Sequence, residues 1–290
     1  MQRTISRPVA VRGYGFWSGK PVRVEFRPAA VESGITFVRD DLSSRVRVPA
    51  IIEHRLDVPR RTNLGCEGAT VEMVEHVLAA LAGLQIDNCE IGVDAAEMPG
   101  CDGSSLAFVQ ALDSVGVDEQ HEAVPQLVIA EPVRIASGES WIEALPAALP
   151  ATNTKFRVEF QLDYPDDPII GQQSISLAVS PDSFRQELAP CRTFVLEREA
   201  DAMIRQGLGT HVTPQDLLLF GKYGPVENRL RFENECARHK TLDLIGDLAL
   251  TGCEIIGQVI AHRSSHQLNA ALACELRSRF AQTMPLRASA

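Results

Sequence analysis

Long apolar runs are missing from this chain: no stretch of about 18 hydrophobic residues is present, which excludes a membrane-spanning helix. The opening segment, Met1 to Arg7, also lacks the apolar core of a secretory signal, so a cytoplasmic location is expected. A cationic excess is missing too. With 28 Lys and Arg against 38 Asp and Glu, the formal charge is -10. General binding to nucleic acid or anionic lipid is therefore not expected, and an anionic ligand must be met by cations placed locally. Cys-x-x-Cys is absent. The seven cysteines (Cys66, Cys89, Cys101, Cys191, Cys236, Cys253, Cys274) are scattered and odd in number, as befits reduced thiols rather than a disulfide framework or a Cys-rich zinc site. Any metal must be held by nitrogen and oxygen. Biased tracts are lacking as well, and with 45% hydrophobic and 23% charged residues the chain is expected to fold throughout.

What is present is a change of period along 290 residues, enough for one large domain or two of average size. The N-terminal part alternates apolar and polar positions, as in Val22-Arg23-Val24-Glu25-Phe26 and Ile35-Thr36-Phe37-Val38, the period of half-buried strands. From Val71 to Leu84 the residues Val74, Val77, Leu78, Leu81 and Leu84 recur at helical spacing, with Gly83 near the end. A β-branched run from Ile86 to Val93 reads as a strand. A second helix is expected from Ser105 to Leu112, capped by Ser104 or Ser105. The same helix, strand, helix order returns at about Asn234 to Thr251, Cys253 to Ala261 and His266 to Arg279. Two copies of one unit predict an α+β protein of two similar domains, divided within the polar stretch Asp118 to Pro125. Residues Asp201 to Phe220 break the pattern: Leu217-Leu218-Leu219-Phe220 is either a core strand or part of an insertion with an apolar surface.

Two segments carry the candidate chemical residues. Glu75-His76 lies in the first predicted helix, and neighbours one residue apart can both border a pocket at a helix end. A Glu or His there is ordinarily solvated or a satisfied core group. His239 and Asp243 are four apart on the later helix and share a face, so both can reach one ion. Zinc accepts imidazole nitrogen and carboxylate oxygen, and a catalytic zinc takes three protein ligands, a set that His76 would complete. A surface ion pair is the plainer alternative. Asp247 falls one turn further along, placed to orient a histidine or simply solvated. His266 follows Arg263-Ser264-Ser265 at a strand-to-helix junction, a position suited to an acid or base and also to a structural histidine. His54, His121, His211 and His262 have no partner at ligand spacing.

Taken in order, Gln2-Arg3-Thr4, Val74 to Gly83, Ile86-Asp87-Asn88, Pro99 to Ser104, Cys191-Arg192-Thr193-Phe194, Arg231 to Glu235, His239 to Asp247 and Ser265-His266-x-x-Asn269 resemble the UDP-3-O-acyl-N-acetylglucosamine deacetylase family, the zinc enzymes of lipid A synthesis. The resemblance implies two domains, residues 1–122 and 123–290, each a β-sheet layered against helices. The active site would lie between the helical layers, with a small insertion in each domain; the second, near 195–224, would build a passage for an acyl chain. It implies His76, His239 and Asp243 as zinc ligands, with ferrous iron able to fill the same set, and Glu75 as general base. Thr193 would stabilise the oxyanion. His266 would be a cationic acid held by Asp247, Lys240 would meet the substrate's diphosphate, Phe194 would contact substrate, and Arg263 would add a phosphate contact. The implied partner is an acylated UDP-N-acetylglucosamine, without nucleic acid. The protein would be a cytoplasmic monomer, touching the inner membrane surface transiently if at all.

The chain departs from the family's usual pattern at four positions: Trp17 for a histidine, Ser265 for glycine, Cys191 for alanine and Ala107 for proline. Tryptophan neither titrates nor accepts a hydrogen bond. This leaves open a relative that binds an acylated nucleotide-sugar without turning it over, or one of altered specificity. Retention of Glu75 and His266 favours catalysis.

Overall fold

In the computed structural model, which describes residues 1–147 and 156–283 with side chains to Arg279, one sheet-and-helix arrangement is built twice. Residues 148–155 and 284–290, which fall in the expected second domain, lie outside the described residues. The first sheet has five strands in the order Val9–Tyr14, Pro21–Pro28, Cys89–Val93, Ile35–Arg39 and Arg47–Pro49. Its central strand, Cys89–Val93, is antiparallel to Pro21–Pro28 and parallel to Ile35–Arg39. The later sheet repeats this with Val133–Ser137, Ser140–Leu145, Glu254–His262, Phe156–Tyr164 and Gly171–Ala178. There too the central strand is antiparallel to one neighbour and parallel to the other, and Gln126–Val128 pairs with it as a sixth strand. Along Glu254–His262 every second residue points inward, so Ile255, Val259 and Ala261 join the core.

Besides a two-stranded pairing of Arg3–Ile5 with Val117–Glu119, two three-stranded sheets stand apart from these. One is the meander Arg55–Leu56, Asn63–Cys66 and Ala69–Val71; the other joins Phe194–Leu196, Leu218–Gly221 and Gly224–Pro225. The apolar run after Leu217 is thus a strand, but of the small sheet: it pairs in parallel with Phe194–Leu196, and Leu218 and Phe220 are buried.

The helices are α1 (Glu75–Gly83), α2 (Leu106–Asp113), the single turn α3 (Pro181–Ser183), α4 (Glu197–Arg205), α5 (Glu235–Leu248) and α6 (His266–Thr283). The first begins at Glu75 rather than Val71, because Ala69–Val71 belongs to the meander and Met73 turns the chain at φ 58°. Gly83 is not the left-handed cap that its position suggests. It is helical, and a Cβ there would stand 2.2 Å from the Phe184 ring; Gln85, at φ 57°, makes the turn that ends the helix. Apolar beyond Glu75 and His76 in its first turn, α1 is almost wholly buried. It crosses α5, which in turn lies on strands Phe156–Tyr164 and Gly171–Ala178. At the crossing the backbones nearly touch: a Cβ on Gly246 would come 2.1 Å from the Glu75 carbonyl oxygen. At the start of α2 the Ser104 hydroxyl oxygen accepts from Leu106 N–H (3.2 Å), whereas Ser105 donates to the His76 carbonyl oxygen (2.8 Å) and ties α2 to α1. Among the described residues no helix is long and apolar enough to cross a membrane.

Candidate active site

Three side chains distant in sequence converge where α1 meets α5. His76 comes from the first turn of α1, and His239 and Asp243 are one turn apart on α5. All are buried, and their candidate ligand atoms lie within 4.8 Å of one another. Asp243 Oδ1 stands 3.5 Å from His76 Nε2 and 3.4 Å from His239 Nε2, yet no hydrogen bond reaches this buried oxygen. A carboxylate oxygen left without a partner in the interior is costly. A divalent cation between it and the two imidazoles removes that cost, and two histidines with one carboxylate form a set that zinc accepts. The residues fit an ion.

Protonation agrees with this. His239 Nδ1 faces the Cys191 carbonyl oxygen at 3.1 Å, so Nδ1 carries the donated proton and Nε2 keeps its lone pair. Burial, reinforced by His76 and Lys240 against the pull of Asp243, pushes His239 down to about 3, so the ring is neutral at physiological pH. Burial opposes the charge on Asp243, but the cations around it, Lys240 and His266 among them, hold the carboxyl well below its usual range. Lys240 Nζ donates to Asp243 Oδ2 at 2.7 Å.

Two buried ionisable groups flank the cluster. Glu75 is buried, and its Oε2 accepts the Thr62 N–H at 3.0 Å. Burial above all, with the charges of Asp243 and Asp247 and against those of His266 and His76, raises its carboxyl above the ordinary range. Opposite it, His266 Nδ1 donates to Asp247 Oδ2 at 2.8 Å, and Nε2 lies 3.8 Å from Asp243 Oδ2. Asp247 is also held by the Thr62 hydroxyl on Oδ1 (2.5 Å) and the Asn269 amide on Oδ2 (2.8 Å). Burial works against a charge on His266, but the charge and hydrogen bond of Asp247, aided by Asp243, outweigh it and lift the ring from 6.5 to about 9. The imidazolium therefore persists through neutral pH. Its contribution to stability is complete below 6.5 and is lost as pH rises through 9. Asp247→Asn leaves burial dominant, so the basic limb of a pH–activity profile should move from about 9 to lower pH. An unmoved limb in that variant would show that another group sets it.

Glu75, His76, His239, Asp243 and His266 line a cavity of about 530 Å³ whose other walls include Phe16, Met203, Ile204, Leu208, Val212 and Leu219. Thr193, Phe194 and Lys240 line it too, and the Phe194 ring stands edge-on to His239 at 6.4 Å. Arg263 is placed differently: at φ 51°, it donates to Glu139 at 2.8 Å and is not among the cavity residues. Sequence spacing gave no sign of Thr62, which reaches the site from the meander loop, or of Tyr164, a cavity residue packed on Phe194 at 5.9 Å between ring centres.

A family model described as UDP-3-O-acyl N-acetylglycosamine deacetylase (LpxC) matches residues 2–278. The chain belongs to that family. Among its deacetylase relatives, the UDP-3-O-acyl-N-acetylglucosamine deacetylase of Anaeromyxobacter sp. (strain Fw109-5) is 39% identical over 272 residues, covering 93% of this chain and 86% of the relative. The protein of the same name from Chlamydia caviae is 36% identical over 93% of this chain and 95% of its own length, and that of Syntrophus aciditrophicus 34% over 93% and 84%. The departures from the deacetylase pattern now have places. Trp17 and Ser265 line the cavity. The Trp17 backbone N–H donates to Glu97 at 2.8 Å and the Arg61 guanidinium covers its ring at 5.0 Å from the centroid. Cys191 offers its carbonyl, not its side chain, to His239.

Proposed function

We propose that this protein hydrolyses the N-acetyl group of UDP-3-O-(3-hydroxyacyl)-N-acetylglucosamine, releasing acetate in lipid A biosynthesis. The observation that carries the reading is the unpaired Asp243 Oδ1 between two histidine Nε2 atoms, with Glu75 on one side and the Asp247-held His266 on the other. His76, His239 and Asp243 would hold zinc, and ferrous iron fits the same donor set. A bound ion supplies Lewis acidity, lowering the pKa of a water and drawing charge from a carbonyl oxygen. Glu75 takes the proton from the attacking water as its oxygen bonds to the acetyl carbon. The Thr193 hydroxyl donates to the oxyanion that forms. His266, charged at neutral pH, gives a proton to the amide nitrogen as the C–N bond breaks, and the amine and acetate leave. Lys240 meets the diphosphate, Phe194 contacts the substrate, and the apolar cavity wall takes the acyl chain. Arg263, bonded to Glu139, contributes a phosphate contact only if it exchanges that partner.

In this reading residues 1–122 form one domain and 123–290 the other, with the active site between their helical layers. The two three-stranded sheets are the insertions, and the one with α4 shapes the acyl passage. The protein works as a cytoplasmic monomer, touching the inner membrane surface transiently if at all.

Metal-loaded protein should release acetate from the acylated substrate, lose that activity on chelation and recover it with zinc. No release by the loaded protein would leave the alternative, a relative that binds the acylated nucleotide-sugar without turnover, favoured by Trp17 in the cavity wall.

A further inference from the structure

We infer that Thr62 is a positioning residue that couples the base to the acid, an inference that rests on the deacetylase reading. Its side chain and backbone are fully buried, and all three of its polar groups are engaged. The backbone N–H donates to Glu75 Oε2 at 3.0 Å. The carbonyl oxygen accepts from Val74 N–H, also at 3.0 Å, which pins the loop to the entry of α1. The hydroxyl donates to Asp247 Oδ1 at 2.5 Å, and the same Oγ1 lies 3.3 Å from His266 Nδ1.

The proton count decides what this last contact is. A hydroxyl has one proton and two lone pairs, and an ionised carboxylate only accepts. The Thr62 proton is therefore committed to Asp247, and Oγ1 turns a lone pair toward His266. Nδ1 can approach that lone pair only as an N–H, so its proton is shared between Asp247 Oδ2 at 2.8 Å and Thr62 Oγ1 at 3.3 Å. Nε2 is left as the nitrogen that exchanges a proton with substrate. With Asn269 on Oδ2, Asp247 is gripped through both oxygens and cannot rotate without breaking a bond. β-Branching stiffens χ1 of Thr62 and helps hold the hydroxyl in that rotamer. One residue thus fixes the separation and orientation of the two groups that move protons in opposite directions.

The test compares metal-loaded parent, Thr62→Val and Thr62→Ser by acetate release, KM and metal content. Valine keeps the shape and the backbone N–H but not the hydroxyl, and kcat should fall about 10- to 100-fold, with KM and metal content at parent values. Serine restores the hydroxyl and should restore kcat. Parent-like kcat in Thr62→Val, a loss confined to KM, or a serine variant as poor as valine overturns the inference. The parent gives a readout that needs no variant. The Thr62 hydroxyl proton, buried on a carboxylate, should exchange slowly enough to give an NMR signal with a through-space contact to the His266 ring, in metal-free and loaded protein alike. Absence of that signal overturns the inference. A parent that releases no acetate defeats the deacetylase reading instead, and the hydroxyl signal still decides the positioning.

Discussion

Glu75→Gln should lower acetate release by about 10²- to 10⁴-fold, the usual contribution of a positioned general base, without loss of bound metal. The amide is nearly isosteric, and its oxygen can still accept the Thr62 N–H that Glu75 Oε2 accepts at 3.0 Å. What it cannot do is take a proton from water. Because Glu75 stands outside the three-residue ligand cluster, metal content should stay at the parent's level. Stability should not fall, since the variant removes a buried carboxyl whose ionised form burial disfavours. Activity and metal lost together would instead make Glu75 a ligand or a structural support.

Gly246→Ala should destabilise the fold and weaken metal binding, contrary to helix propensity. In a helix interior alanine is better than glycine by roughly 0.5–1 kcal/mol. Here the added methyl would stand 2.1 Å from the Glu75 carbonyl oxygen, a backbone atom that cannot swing aside. The helices α1 and α5 must separate, at a cost of about 1–3 kcal/mol as in other overpacked cores. Since His76 rides on one helix and His239 and Asp243 on the other, the ligand set opens with them. Thermal unfolding should show a lower midpoint, and zinc titration a weaker affinity. A variant as stable as the parent, with unchanged zinc affinity, would mean that the crossing is looser than the backbone approach indicates.

Local periodicity made part of this legible. His239 and Asp243 share a face at i,i+4, and the repeated helix, strand, helix order foretold the repeated sheet. That His76 would meet them was implied by family resemblance, since spacing cannot say which helices cross. Gly246 shows why: its role lies in a contact with residue 75 that no local window contains. Thr62 sits among Arg60, Arg61 and Asn63 with nothing to mark it, and its partners lie 13, 185 and 204 residues away. Gly83 misled by composition, because a glycine near a helix end suggests a left-handed cap, whereas this one makes room for Phe184 and Gln85 takes the turn. Of the alternatives for Leu217 to Phe220, the structure bears out a strand, with Leu218 and Phe220 buried, but in a small separate sheet.

The most direct test is the position of the metal in crystals of zinc-loaded protein, located by anomalous scattering at the zinc edge. One strong peak is expected about 2.0–2.2 Å from His76 Nε2, His239 Nε2 and an Asp243 carboxylate oxygen, with Glu75 and His266 outside the coordination sphere. A peak bound elsewhere, or none in fully loaded protein, would contradict the assignment of these three side chains to a metal and the hydrolytic chemistry that depends on it.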